Sequence, residues 1–381
     1  MGLTYNYEST DTGAPTLNNA AGALITLLTA VLVNGFNTKT VTITRSGSTA
    51  TANCTSHGYR TGQIIKHSGA SQTEYNIEAR VTVTDANNYT FTVSGTPATP
   101  ATGTITAIVA PLGWTKPYTG TNLAAFRQKT GTNQFYLRVY DPAATEANLR
   151  GYEAMTAIST GTGPFPTVAQ VAGNGQYLYK SPNSTNRPWK LWSDGKIFHF
   201  IVLTDVTTWT YSDGSAFSFG DFTSFKSGDA YNTVLMATPA SGSYGSGCSW
   251  ASVSAHVGST TGGFYVARAA SQTGGAYNAA KLCQAFFNVT YYVGYSTAAY
   301  PDPVTGGANI SPVFVSNTTD ANLGIRGYIP GLWGWQHSDE WAIGDTFSGA
   351  TGTELAGRTF EQASPYPPCH ACIETSDTWG L

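Results

Sequence analysis

The sequence predicts a mainly β protein: sandwich- or barrel-like domains, one amphipathic helix near the N-terminus, and long loops. Short runs of alternating residues recur along the whole chain, rich in β-branched and aromatic side chains and bounded by Gly, Asn, Asp and Pro. Aromatic residues make up 13% of the 381 residues and there are 42 Gly, so core and turns are both well supplied. Charged residues make up 11%, against about 25% in an ordinary soluble domain. A surface so poor in charge suits packing against other subunits, and a net charge of −3 offers no basic field for nucleic acid.

The first element is the apolar run AAGALITLLTAVLV, residues 20–33. Leu24, Leu27, Leu28, Val31 and Leu32 fall on one helical face, with Asn18 or Asn19 as the expected cap and Asn34-Gly35 as the stop. The run is too short for a membrane span, and Glu8 and Asp11 stand where a signal peptide needs basic residues.

Residues 38–109 read as a self-contained small β-module. KTVTITRSGSTATANCTS folds back around Ser46-Gly47, GQIIKHSG adds a strand, and RVTVTDANNYTFTVSG is a hairpin turning at Asp85–Asn88. Several short strands in so few residues predict a small barrel or sandwich. Beyond it, strands are expected at QFYLRVYD, KIFHFIVLTD, GGFYVARAA, AFFNVTYYVGY and SPVFVSN. Ser-Asp-Gly-x-x-Phe-x-Phe occurs at Ser193 and Ser212, and Arg-Gly-Tyr at Arg150 and Arg326. Good hairpin chemistry accounts for the first pair; a decayed duplication is the alternative.

Residues ATANCTSHGYRTGQIIKHSGAS, YNIEARVTVTDANNYTFTVSG and TPATPATGTITA resemble a β-module of tail and baseplate proteins of tailed bacteriophages. The flanking MGLTYNYESTDTGAPTLNNAAGALITLL, APLGWTKPYTGTNLAAFRQ, FYLRVYD, RGYEAMTAISTGTGPFPT and FGDFTSFKSGDAYN resemble a family of phage virion structural proteins. Because both flanks match, the resemblance implies that residues 1–37 and 110–381 are parts of one larger β-rich domain into which 38–109 is inserted. It also implies a virion structural component, in the tail or tail-tip complex, assembled in the host bacterial cytoplasm. Its partners would be other virion proteins and copies of itself. A receptor- or glycan-binding or depolymerising tail protein is one alternative, and a head-decoration or head-to-tail connector protein another.

Candidate chemistry is sparse, and no enzyme is expected. PPCHACIE places Cys369 and Cys372 at a Cys-x-x-Cys spacing that offers two thiolates to a metal. A structural zinc needs four ligands, so His370 or the distant Cys248 and Cys283 would have to complete the set; otherwise no cofactor is expected. HSDEW supplies Asp339 and Glu340, with Asp302, Asp320 and Asp345 near in sequence, and a glycosidase would need two such acids across a cleft. WKLW, TWTY and PGLWGW carry aromatics that stack on host surface glycans or fill a core. In YIPGLWGW, residues 328–335, Gly and Pro break any simple periodicity. Leu332, Trp333 and Trp335 are therefore the expected subunit interface, with burial in their own domain as the alternative.

Overall fold

A computed structural model describes residues 2–129, 131, 133–203, 214–237, 263–272, 277–278, 282–284, 310–316, 325–335, 345–349, 355, 357–364, 370–377 and 379. Its architecture is mainly β, with antiparallel sheets throughout and one short helix, as the alternating runs predict.

Residues 36–109 supply every strand of two four-stranded sheets. The strand Phe36–Thr40 pairs with Gly103–Val109, bends at Val41, and continues as Thr42–Ser46 to pair with Thr49–Asn53 in the other sheet. Glu78–Arg80 pairs with Ile64–Ala70, bends at Val81, and continues as Thr82–Val83 to pair with Asn88–Thr92. Both bending valines are buried, and their amides bond Ile105 O and Gln63 O. The remaining ladders join Thr49–Asn53 to Asn88–Thr92 and Ile64–Ala70 to Gly103–Val109. The circuit therefore closes, and the two sheets are one antiparallel barrel without a free edge. Its inward positions are filled by Ile43, Ala52, Ile65, His67, Tyr89, Phe91 and Ala107.

Entry and exit of this barrel are neighbours: Phe36 lies opposite Val109. Gly35, at φ 75°, makes the approach, since a Cβ there would lie 2.5 Å from Val109 O.

Outside the barrel, the described residues form three stacked sheets. The middle one runs in the order Tyr5–Glu8, Trp189–Ser193, Ile197–Leu203, Gly214–Asp221, Thr233–Met236, Phe264–Val266, Tyr277–Asn278. It is buried on both faces, which is why KIFHFIVL reads as a continuous apolar run rather than an alternating one. Phe198, Phe200 and Val202 pack into one core with Phe126, Leu137, Leu149 and Phe165 of the sheet built from residues 115–179. Ile197, Ile201 and Leu203 point the other way, into a second core with Val313, Val315, Ile329, Leu332 and Ile373. That core belongs to the third sheet, whose main strands are Ile310–Ser316, Ile325–Trp335, His370–Glu374 and Thr359–Ser364.

The predicted helix is present as Ala23–Thr29, continued by a wider π turn over Ala30–Asn34, and all five expected residues are fully buried. Its cap differs from the expectation. Asn18 accepts only from Ala20 N, whereas Asp141 Oδ2 accepts from the amides of Leu24 at 2.7 Å and Ile25 at 3.2 Å. A carboxylate from a distant strand end outcompetes the local Asn because buried Lys180 fixes it in place.

Candidate functional site

The sequence-predicted candidates that the structure describes meet in the third sheet, where Trp333 pairs with Cys372 and Trp335 with His370. Leu332 and Trp333 lie in the strand Ile325–Trp335 at 1% and 5% exposure, Leu332 in the second core and Trp333 edge-on to Phe360. Both are buried against other segments of the same chain. Gly331, at φ 74°, lets Trp379 pack against that strand, where a Cβ would come within 2.3 Å of the indole. The side chain of Trp335 lies outside the described residues, as do Cys369 and the side chain of His370.

Cys372 is fully buried and its Sγ donates to Trp333 O at 3.9 Å, while burial pushes its thiol well above the ordinary range. A thiol held protonated in a dry core is a poor metal ligand. Cys54, the other cysteine with a described side chain, is partly buried and likewise raised by burial. Cys248, the side chain of Cys283, the aromatics of TWTY, and Asp302, Asp320, Asp339 and Glu340 fall outside the described residues; Asp345 is exposed. The tryptophans of WKLW, Trp189 and Trp192, are fully buried and so are core rather than glycan platforms.

What the fold does bring together is charge. Lys190 sits between those two tryptophans, directly opposite Glu8 on the edge strand. Its Nζ donates to Glu361 of the third sheet and lies 3.6 Å from Glu8 Oε2. Glu361 Oε2 accepts from Trp192 Nε1 at 3.0 Å. Glu8 Oε1 lies 3.6 Å from Arg60 of the barrel, which also donates to Asp11 at 2.7 Å. Burial raises the Glu8 carboxyl, but Arg60 and Lys190 outweigh it and hold the group below its ordinary value. In Asp11 burial wins over Arg60, and its carboxyl is raised. The row Glu361–Lys190–Glu8–Arg60–Asp11 thus runs from the third sheet, past the middle one, to the barrel.

A second set of contacts joins barrel and body beside it. Arg80 pairs with Asp377 and donates to Thr4 O at 3.0 Å, while Tyr5 donates to Glu78 at 2.7 Å. Burial would raise Asp377, yet Arg80 and the Thr4 amide hold it below the ordinary carboxylate range. Two further buried pairs stand apart: Arg326 grips Asp229 with both its Nε and NH2 at 2.8 Å, and Lys180 meets Asp141.

His199 and Ser218 face each other across the middle sheet, with Nδ1 to Oγ at 2.7 Å and Nε2 to Pro330 O at 2.8 Å. Burial lowers the imidazole to about 4. A neutral ring that spends both nitrogens inside a closed core is a structural bridge between sheets, not an exposed nucleophile pair.

Sequence reasoning missed the charge row because its members lie up to 353 positions apart, from Glu8 to Glu361. One local signal was available: a lysine inside the apolar WKLW is a charge committed to burial, and such a charge needs a partner.

No family model matches the chain, and no curated protein matches it. Among solved structures, Phage phi92 endosialidase aligns with a TM-score of 0.17 and 12% identity, over 48% of this chain. The matched part is 39% of that protein's length. Likeness at this level carries no argument about fold or chemistry.

Proposed function

We propose that this chain is a structural subunit of a tailed-phage virion, placed in the tail or tail-tip complex and working through contacts with other virion proteins and with copies of itself. The sequence resemblance of the barrel and its flanks motivates the reading. The observation that supports it best is the closed barrel with adjacent entry and exit, fixed to the body by Arg60 and Arg80. An edge-free unit held at one end of a layered body presents surface without inviting strand pairing, which suits repeated assembly. The acids with described partners support it too: Glu8, Asp141, Asp229 and Glu361 are engaged by Lys or Arg.

The test is location. Antibody against the barrel, visualised on purified particles by electron microscopy, is expected to mark the tail or its tip. Label on the head would favour a decoration or connector role, and absence of the chain from particles would overturn the proposal. The purified protein is expected to release no oligosaccharide from host surface glycans; reproducible release would turn the reading to a depolymerase.

A further inference from the structure

The geometry points to an intramolecular amide bond between Lys190 Nζ and Glu361 Cδ, formed autocatalytically with Glu8 as proton carrier. The inference is independent of where the protein acts. Lys190 and Glu361 are 8% and 4% exposed and in direct contact, the first from the middle sheet and the second from the third. A buried lysine is a nucleophile once it gives up its proton, and a carboxyl held against it is an acyl group at very high effective concentration, ~10⁵ M or more. Two further groups sit where the reaction needs them. Trp192 Nε1–H is 3.0 Å from Glu361 Oε2, the oxygen on which charge develops. Glu8 Oε2 is 3.6 Å from Nζ, while its other oxygen accepts from Thr10 at 2.8 Å and faces Arg60.

The step balances within the chain. Lys190 passes one proton to Glu361 Oε1, leaving a neutral amine beside a carboxylic acid. The amine lone pair attacks Cδ, and the C=O electron pair moves to Oε2 against the indole N–H. Glu8 takes a proton from the now cationic nitrogen and delivers it to Oε1, which leaves as water while the carbonyl re-forms at Oε2. Glu8 returns to its carboxylate. Two buried charges are replaced by one neutral amide, which removes the cost of holding them out of water.

The molecule holds its own control. Lys180 and Asp141 are both fully buried and in contact, and Lys180 Nζ also donates to Ala20 O at 3.1 Å and Pro142 O at 3.2 Å. Those three acceptors match the three hydrogens of an ammonium, and no second carboxylate pairs with Lys180 among the described residues. This pair stays ionic.

Intact-mass spectrometry of the folded full chain tests the proposal, read with peptide mapping after digestion. The expected mass is below that of the sequence by one water, with one branched peptide joining the segment of Lys190 to that of Glu361. Lys190→Arg and Glu8→Gln are each expected to restore the full mass, as is chain kept unfolded in denaturant from synthesis onward. Wild type at its full sequence mass overturns the bond outright, whatever the variants do. A branched peptide at Lys180 and Asp141 overturns the assignment of the pair, and a Glu8→Gln protein that still loses water overturns the role of Glu8.

Discussion

The barrel and the three-sheet body solve one problem in different ways. Each must hide strand edges and bury its apolar faces with few charges to spend. The barrel does it locally: residues 36–109 close on themselves, and the ladders join segments near in sequence. The body does it by long-range pairing: Tyr5–Glu8 lies against Trp189–Ser193, and Glu361 reaches Lys190. Local closure makes a unit that a larger fold can accept as an insertion, because its two ends leave side by side. Long-range closure makes a body whose layers depend on one another, and it places the buried charges between layers.

The largest expected effect follows from this asymmetry. Residues 36–109 expressed alone, roughly 70 residues with His67, Tyr89 and Phe91 packed on one another inside the barrel, are expected to unfold in a single cooperative transition with near-UV circular dichroism intact. Residues 310–379 alone, although they contain five paired strands of the third sheet, are expected to show no such transition, because Ile329, Leu332 and Ile373 pack on the middle sheet. A molten barrel or a cooperative third sheet would break the comparison. Next in size is Trp333→Ala, expected to destabilise the body by about 3–5 kcal/mol, since a large buried side chain is replaced by a cavity. Denaturant melts followed by tryptophan emission and by barrel-specific proteolysis would register the loss in the body alone. A shift in oligomeric state without loss of stability would return Trp333 to an interface.

The same asymmetry explains what could be read from the sequence. The barrel's turns at Gly47 and at Asp85–Asn88 are fixed by neighbours, Asp85 accepting from the amides of Asn87 and Asn88, so local chemistry suffices to place them. The helix face was equally legible because its period is local. Its cap was not, since Asp141 arrives from a strand more than a hundred residues on. Nor was the direction of Leu332 and Trp333: a run broken by Gly and Pro tells nothing of which sheet will cover it. The charge row was invisible for the same reason, apart from the lysine in WKLW.

Acid sharpens the comparison, because each unit carries a buried histidine whose imidazole is held neutral by burial. In the barrel, His67 stacks on Phe91 at 4.3 Å, meets Tyr89 OH at 2.9 Å, and has no partner at Nδ1 among the described residues. Burial lowers it to about 4, the same value as His199 in the body. Both folded values lie below the unfolded one of 6.5, so the unfolded chain binds more protons between them. Stability is therefore complete above the unfolded value, falls as pH drops from 6.5, and stops falling near 4, by about 3 kcal/mol for each histidine. His67→Phe is expected to flatten the barrel's acid response and leave the body's unchanged. A barrel equally acid-sensitive after this change would assign the effect to other groups.

The smallest effect is expected where the units meet. Arg80 and Asp377 are about a third exposed at the side chain, 33% and 37%, so water screens their attraction and the pair contributes about 1 kcal/mol or less. Arg80→Ala is thus expected to leave both melting transitions nearly unshifted. Its effect should appear in how firmly the barrel is held: Arg80 also donates to Thr4 O and to Gly62 O, so it fixes the first residues of the chain against the barrel's own turn. Hydrogen exchange of the Thr4 amide, which donates to Asp377 Oδ1 at 3.0 Å, is the sensitive reporter. Faster exchange there with unchanged barrel and body amides would mean that the seam positions two units which are each stable without it. A loss of several kcal/mol from either unit would mean instead that barrel and body fold as one, and the contrast between local and long-range closure would fail at its joint.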